Sequence, residues 1–129
     1  MDSSDVVAIN DLMSHYGYVV DDAAWDRLDE VFAPDGVFDI SVIGKGTPTG
    51  LDELRQCYAA LDHPLAHHTT NAVIEPDGPH RARVRCRYLV VYPDGRTGTG
   101  EYHDEVVLRP EGWRLQRRTV VRRSKAVRT

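Results

Sequence analysis

Apolar residues recur every three to four positions in the first part of the chain. They fall at Val6, Ile9, Leu12/Met13, Tyr16 and Val19/Val20, then at Trp25, Leu28 and Val31/Phe32. This spacing lines one face of a helix and predicts helices over 5–20 and 23–32. Ser3 or Ser4 is available to cap the first. Asp21 and Asp22 interrupt the pattern, and Asp22 suits the N-cap of the second helix. Ala33-Pro34-Asp35-Gly36 reads as a stop and turn. Val37 to Ile43 alternates, with Phe38, Ile40 and Val42 on one face and Asp39 and Ser41 on the other, as in a half-buried strand. Thr49-Gly50-Leu51-Asp52 approximates a capping box and opens a third helix, with Leu51, Leu54, Cys57/Tyr58 and Leu61 on one face. His63-Pro64 ends it.

The remainder has the two-residue period of strands. Leu65 to Glu75, His80 to Tyr92, Thr97 to Arg109 and Trp113 to Val121 are separated by Pro76-Asp77-Gly78-Pro79, Pro93-Asp94-Gly95 and Pro110-Glu111-Gly112. In the second of these, Ala82, Val84, Cys86, Tyr88, Val90 and Tyr92 face one way and Arg81, Arg83, Arg85 and Arg87 the other. Such alternation marks an antiparallel sheet with one wet face. Gly98 and Gly100 allow a bend or bulge in the next strand. The basic tail from Arg122 is expected to fray. Helices first and hairpin-linked strands later predict an α+β fold. Three helices would pack on one face of a curved antiparallel sheet, enclosing an apolar pocket.

Composition narrows this. The 129 residues suit one domain over 1–129, and 41% apolar with 28% charged residues is ordinary for a globular chain. A net charge of -4 argues against a general nucleic-acid binder. Acids crowd the first half and arginines the second, which suits complementation within the fold or across a homodimer. No apolar run is long enough to span a bilayer. The acidic start, Met1-Asp2-Ser3-Ser4-Asp5, lacks the basic region of a secretory signal, and a cytoplasmic location is expected. Cys57 and Cys86 read as free, reduced residues on apolar faces.

Candidate chemistry is sparse. His67 and His68 are adjacent on a strand, so one faces the helices and the other faces away. They cannot share one metal, and no His/Cys spacing of a zinc site occurs. Parity alone does not say which one points in. Asp21 is either a cap or a reactive carboxylate, and Tyr16 lies five residues before it on the apolar stripe. Tyr102 and Asp104 share a face with small and apolar residues. An inward Asp104 would need a partner, and Arg117 has the apolar parity of the last strand. No glycine pattern for a nucleotide and no nucleophile elbow is present.

The motifs Tyr16-(four residues)-Asp21, Trp25-Asp26-Arg27-Leu28, Phe32-Ala33-Pro34-Asp35-Gly36, His67-(three residues)-Asn71, Gly100-Glu101-Tyr102 and Gly112-Trp113-Arg114 extend over nearly the whole chain. Together they resemble the SnoaL-like branch of the nuclear transport factor 2-like superfamily, closest to its scytalone dehydratase and bile acid dehydratase group. The resemblance implies a cone-shaped sheet wrapped over helices. It selects His67 over His68 and implies Asp21, His67 and Tyr16 as catalytic residues. Tyr102, Asn71, Trp25 and Tyr88 become candidate substrate-binding residues. Arg122 loosely matches an arginine of the bile acid group, and Val20 replaces a tyrosine of the fungal enzyme. The implied activity is a cofactor-independent dehydratase or isomerase acting on a small apolar hydroxy-carbonyl compound. Alternatives on the same fold are a non-catalytic binding or structural protein, a polyketide cyclase or a ketosteroid-type isomerase with Asp21 as base. No metal or organic cofactor is expected.

Overall fold

The computed structural model describes residues 1–123. Helix α1 spans Ser3–Asp21 and buries Ile9, Leu12, Met13, Tyr16, Val19 and Val20. This is the apolar stripe of the sequence. Its cap is Asp2, whose carboxylate accepts from the Asp5 N–H while Asp5 accepts from the Asp2 N–H. That reciprocal box displaces Ser3 and Ser4 from the role. Asp5 also accepts from the Trp113 indole at 3.0 Å and ties the helix start to the last strand.

The second helix is shorter than its periodicity implies. Ala23 has a φ of 51°, which breaks the helix after Asp21. Asp22 closes α1 as its C-cap and does not open the next segment, a six-residue 3-10 turn over Trp25–Glu30. Helix α2 spans Leu51–Ala60 behind Gly50, which has no side chain with which to cap it. The described residues therefore form three main helical segments, with a further short 3-10 turn at Ser41–Ile43.

Among the described residues five strands form one curved sheet: β1 (Phe32–Asp39), β2 (Ala66–Pro76), β3 (Arg81–Val91), β4 (Thr97–Arg109) and β5 (Gly112–Arg122). Their order is β1-β5-β4-β3-β2. The last four are antiparallel neighbours, as the alternation predicts, and β1 joins the β5 edge in parallel. The segment 33–36 is not a turn before a strand but a bulge inside one. Phe32 pairs with Leu115 and Val37 with Arg117, so five steps of β1 match two of β5. The strand consequently ends early, and Val42 lies exposed in the short turn that follows.

Helices cover the inner sheet face. There Ala82, Val84, Cys86, Tyr102, Val106, Trp113 and Leu115 meet α1, β1 and α2 in one apolar core. Arg81, Arg83, Arg85 and Arg87 are exposed on the outer face. Arg85 forms a two-pronged pair with Glu101, at 2.8 and 2.9 Å, and Arg83 pairs with Glu75. Gly98 and Gly100 do not bulge, since the β3–β4 register runs unbroken from Arg81↔Val107 to Val91↔Thr97. Cys57 and Cys86 are both free. No helix of the described residues is long and apolar enough to cross a membrane. The basic tail does not fray from Arg122 as expected: Arg122 is the last residue of β5 and pairs with Gly100. Residues 124–129 of that tail lie outside the described residues.

Candidate active site

Asp21 ends α1 and His67 begins β2, and the two elements touch. Gly17 permits the approach: a Cβ there would lie 3.3 Å from the His67 carbonyl oxygen. The Asp21 carboxylate then takes both available donors of His67. The imidazole Nδ1 lies 2.6 Å from Oδ1, and the backbone N–H donates to Oδ2 at 3.0 Å. A carboxylate has no proton to give, so Nδ1 carries the hydrogen and Nε2 keeps its lone pair. The side chains are 9% exposed for His67 and 19% for Asp21. His68, one residue on, faces out and is exposed. Burial lowers the His67 pKa below the usual imidazole value, while the hydrogen bond to Asp21 and its charge pull it upward.

His67 lines a cavity of about 550 Å³ between the inner sheet face and the helices. Tyr16, Tyr58, Tyr88, Tyr102 and His63 line it too. The Tyr16 and Tyr58 hydroxyls are 2.7 Å apart. One phenol donates to the other, which leaves one hydroxyl hydrogen for another acceptor. Burial raises the pKa of Tyr16, Tyr58 and Tyr102, so these groups stay neutral and act as donors. The Tyr88 ring stacks on Tyr102 with centroids 4.8 Å apart.

Two of the expected substrate-binding residues lie elsewhere. Trp25 sits behind the lining, stacked on Tyr58 at 5.8 Å and beside His63 at 5.1 Å. Asn71 is exposed and has a φ of 58°, at the bulge that interrupts β2–β3 pairing between Thr70 and Val73. The bulge carries it away from the cavity.

The partner of Asp104 is Arg118, not Arg117. Glu105 pairs with Arg117 and Val106 with Leu115, so Gln116 is an extra residue that reverses the parity of β5. Arg117 turns outward to Asp39 at 2.6 Å. Arg118 turns inward, and its Nε and Nη2 donate to Asp104 at 2.9 and 2.8 Å. Both side chains are fully buried. The guanidinium lies 4.2 Å from the Tyr16 ring centre and 3.8 Å from that of Tyr102. It thus props both phenols from beneath by cation–π contact. Strict alternation hides Arg118. Tyr58 was legible as an apolar-stripe residue of α2, but nothing in its spacing marks a hydroxyl bonded to Tyr16. Arg122 pairs across the sheet with Gly100 and lines the cavity.

Among the described residues no three His, Cys, Asp or Glu side chains gather closely enough to hold a metal ion. A second concavity, of about 480 Å³, lies on the arginine-bearing outer face and contains neither member of the Asp-His pair.

A curved sheet over helices thus encloses a cavity with an Asp-supported histidine in its wall. The model of the SnoaL-like domain family matches residues 1–119, and the chain belongs to that family. An uncharacterized protein of Mycobacterium tuberculosis is 30% identical over 123 residues, covering 89% of this chain and 83% of that protein. The structure of a candidate aromatic ring hydroxylase from Novosphingobium aromaticivorans superposes with a TM-score of 0.76 at 32% identity, covering 96% of this chain and 92% of the other. A candidate scytalone dehydratase from the same organism gives 0.76 at 24% identity, covering 89% and 81%, a likeness of fold alone.

Proposed function

We propose that this protein is a cofactor-independent lyase that removes water from a small cyclic, polyketide-like or steroid-like hydroxy-carbonyl compound. The observation that carries this reading is the 2.6 Å bond between His67 Nδ1 and Asp21 at the wall of an open cavity. His67 Nε2 takes the acidic proton from the carbon beside the carbonyl. The electron pair forms an enolate, whose oxygen accepts from the free hydroxyl of the Tyr16–Tyr58 pair. Collapse of the enolate forms the C=C bond and breaks the β C–O bond. The imidazolium returns its proton to the departing hydroxyl, which leaves as water. Asp21 holds the tautomer and stabilises the imidazolium. General acid–base catalysis of this kind contributes about 10²–10⁴ in rate, and the phenol donor adds to it.

Two features favour this over the alternatives. Both Asp21 oxygens are engaged by His67, which suits a supporting carboxylate better than the base of a ketosteroid-type isomerase. The cavity remains open although Tyr58 and Tyr88 line it, which supports a substrate site over a purely structural core. The test is a screen of cyclic β-hydroxy-ketones, read by mass spectrometry for loss of one water, with wild type and His67→Ala. The expected result is dehydration by wild type alone. Equal turnover by both removes His67 from the mechanism.

A further inference from the structure

The cavity has a second polar end, away from His67. Thr69, Tyr88, Gly100 and Arg122 form one row across β2, β3, β4 and β5. Residues directly opposite share a face, so Arg122 starts from the same inner face as Tyr88. The end of the Tyr88 side chain lies over Gly100, where a Cβ would meet the phenol oxygen first and come within 2.6 Å of ring carbons Cε2 and Cζ. Only a glycine leaves room for the phenol there. The hydroxyl is thereby carried from β3 onto β4, next to the strand that bears Arg122. The Arg122 charge pulls the Tyr88 pKa down against the larger upward effect of burial, consistent with their proximity.

Neither group has a side-chain partner among the described residues. Among the described residues the Tyr88 hydroxyl makes no hydrogen bond, and Arg122 has no carboxylate within 4.0 Å. The neighbouring Arg123 differs, donating to Glu101 at 3.1 Å. Among the described residues the cavity lining includes one acid, Asp62. His67 lies on β2, three strands from β5, which corresponds to ~14 Å of sheet at the usual strand spacing. Arg122 is exposed and lines the cavity at its solvent edge, while His67 is largely buried, so a molecule of about two fused rings spans the gap.

We propose that Arg122 and Tyr88 form a receptor for an anionic group, a carboxylate, on the substrate, opposite the carbons that react at His67. The inference rests on the lyase reading and narrows its substrate to hydroxy-carbonyl acids. A guanidinium and a phenol supply the donors a carboxylate needs, and a charged donor makes the stronger bond. The apolar walls between the two ends, Val90 and Val120 among them, accept the ring system.

The test is binding, independent of turnover. Naphthoate and its uncharged isostere naphthamide are titrated by calorimetry, at neutral pH, into wild type, Arg122→Gln and Arg122→Lys. Circular dichroism checks that each variant is folded. Wild type is expected to bind naphthoate at least about fivefold more tightly than naphthamide, because a charge-assisted bond replaces a neutral one. Arg122→Gln should abolish that preference and Arg122→Lys should keep part of it. Equal affinities in wild type, a preference that survives in Arg122→Gln, or no binding of either ligand overturns the proposal. Failure of the lyase reading looks different: wild type and His67→Ala then turn over neutral hydroxy-ketones equally, whatever naphthoate does.

Discussion

Asp104→Ala is the substitution expected to damage the fold most per atom removed. Asp104 and Arg118 are both fully buried and joined by two hydrogen bonds of 2.9 and 2.8 Å. Removing the carboxylate leaves a fully buried guanidinium with no anion. Its remaining contacts are the Met13 sulfur at 3.1 Å and the Tyr16 and Tyr102 ring faces. Breaking a buried pair from one side costs about 3–5 kcal/mol. At the usual unfolding entropy for a chain of this size, that lowers Tm by about 10–20 °C. Replacing both partners, as in Asp104→Leu/Arg118→Met, removes the stranded charge along with the bond. The double variant is therefore expected to be more stable than Asp104→Ala alone. Urea titration at constant m-value measures both. A loss below about 1 kcal/mol for Asp104→Ala, or a double variant less stable than the single, would refute the reasoning about the buried charge.

Asp21→Asn is expected to lower turnover by about 10²–10⁴, since it removes both the tautomer lock and the charge that stabilises the imidazolium. It should also push the His67 pKa lower still, because Asp21 opposes the effect of burial; NMR titration reads this directly. In wild type the folded pKa of His67 lies below the ordinary 6.5. The unfolded chain therefore takes up this proton first as pH falls. The contribution of His67 to stability is complete above about pH 6.5 and is lost as pH drops through the folded value, which pH-dependent urea midpoints will register. Gly100→Ala drives a Cβ into the Tyr88 ring and should cost about 1–3 kcal/mol, with the loss relieved by adding Tyr88→Ala. Asn71→Gly keeps the left-handed backbone at the β2 bulge, so stability should change by only a few tenths of a kcal/mol. Turnover should hold within about twofold, because Asn71 lies outside the cavity; a large loss would return it to the site.

The elements that follow a simple period were legible. The stripe Ile9–Leu12–Tyr16–Val20 became the buried face of α1, and the arginine alternation of 81–87 became the wet face of β3. Errors cluster where one residue breaks the period. Gln116 shifts β5 by one and exchanges Arg117 for Arg118, which moves a cation from the surface to the centre of the core. Residues 33–36 look like a turn because proline and glycine often make one, yet here they bulge within β1. Ala23 enters a left-handed conformation that no local pattern announces, so the second helix shrinks to a 3-10 turn. The site was half legible. Strand parity required that one of His67 and His68 point inward, and only the family motif chose between them. The contact with Asp21 depends on Gly17 and the packing of α1 on β2, a long-range event that sequence spacing does not encode. Asn71 and Trp25 entered through the motif and not through geometry.

The central claim is that Asp21-supported His67 removes a proton from the carbon beside a carbonyl. Proton exchange tests it without the natural substrate. A cyclic ketone is incubated with the protein in heavy water, and deuterium entry at the α-carbon is followed by NMR for wild type and His67→Gln. The expected result is exchange accelerated by wild type and a return to the buffer rate in the variant. Exchange at the same rate with both proteins, or at the buffer rate with wild type, would contradict the claim.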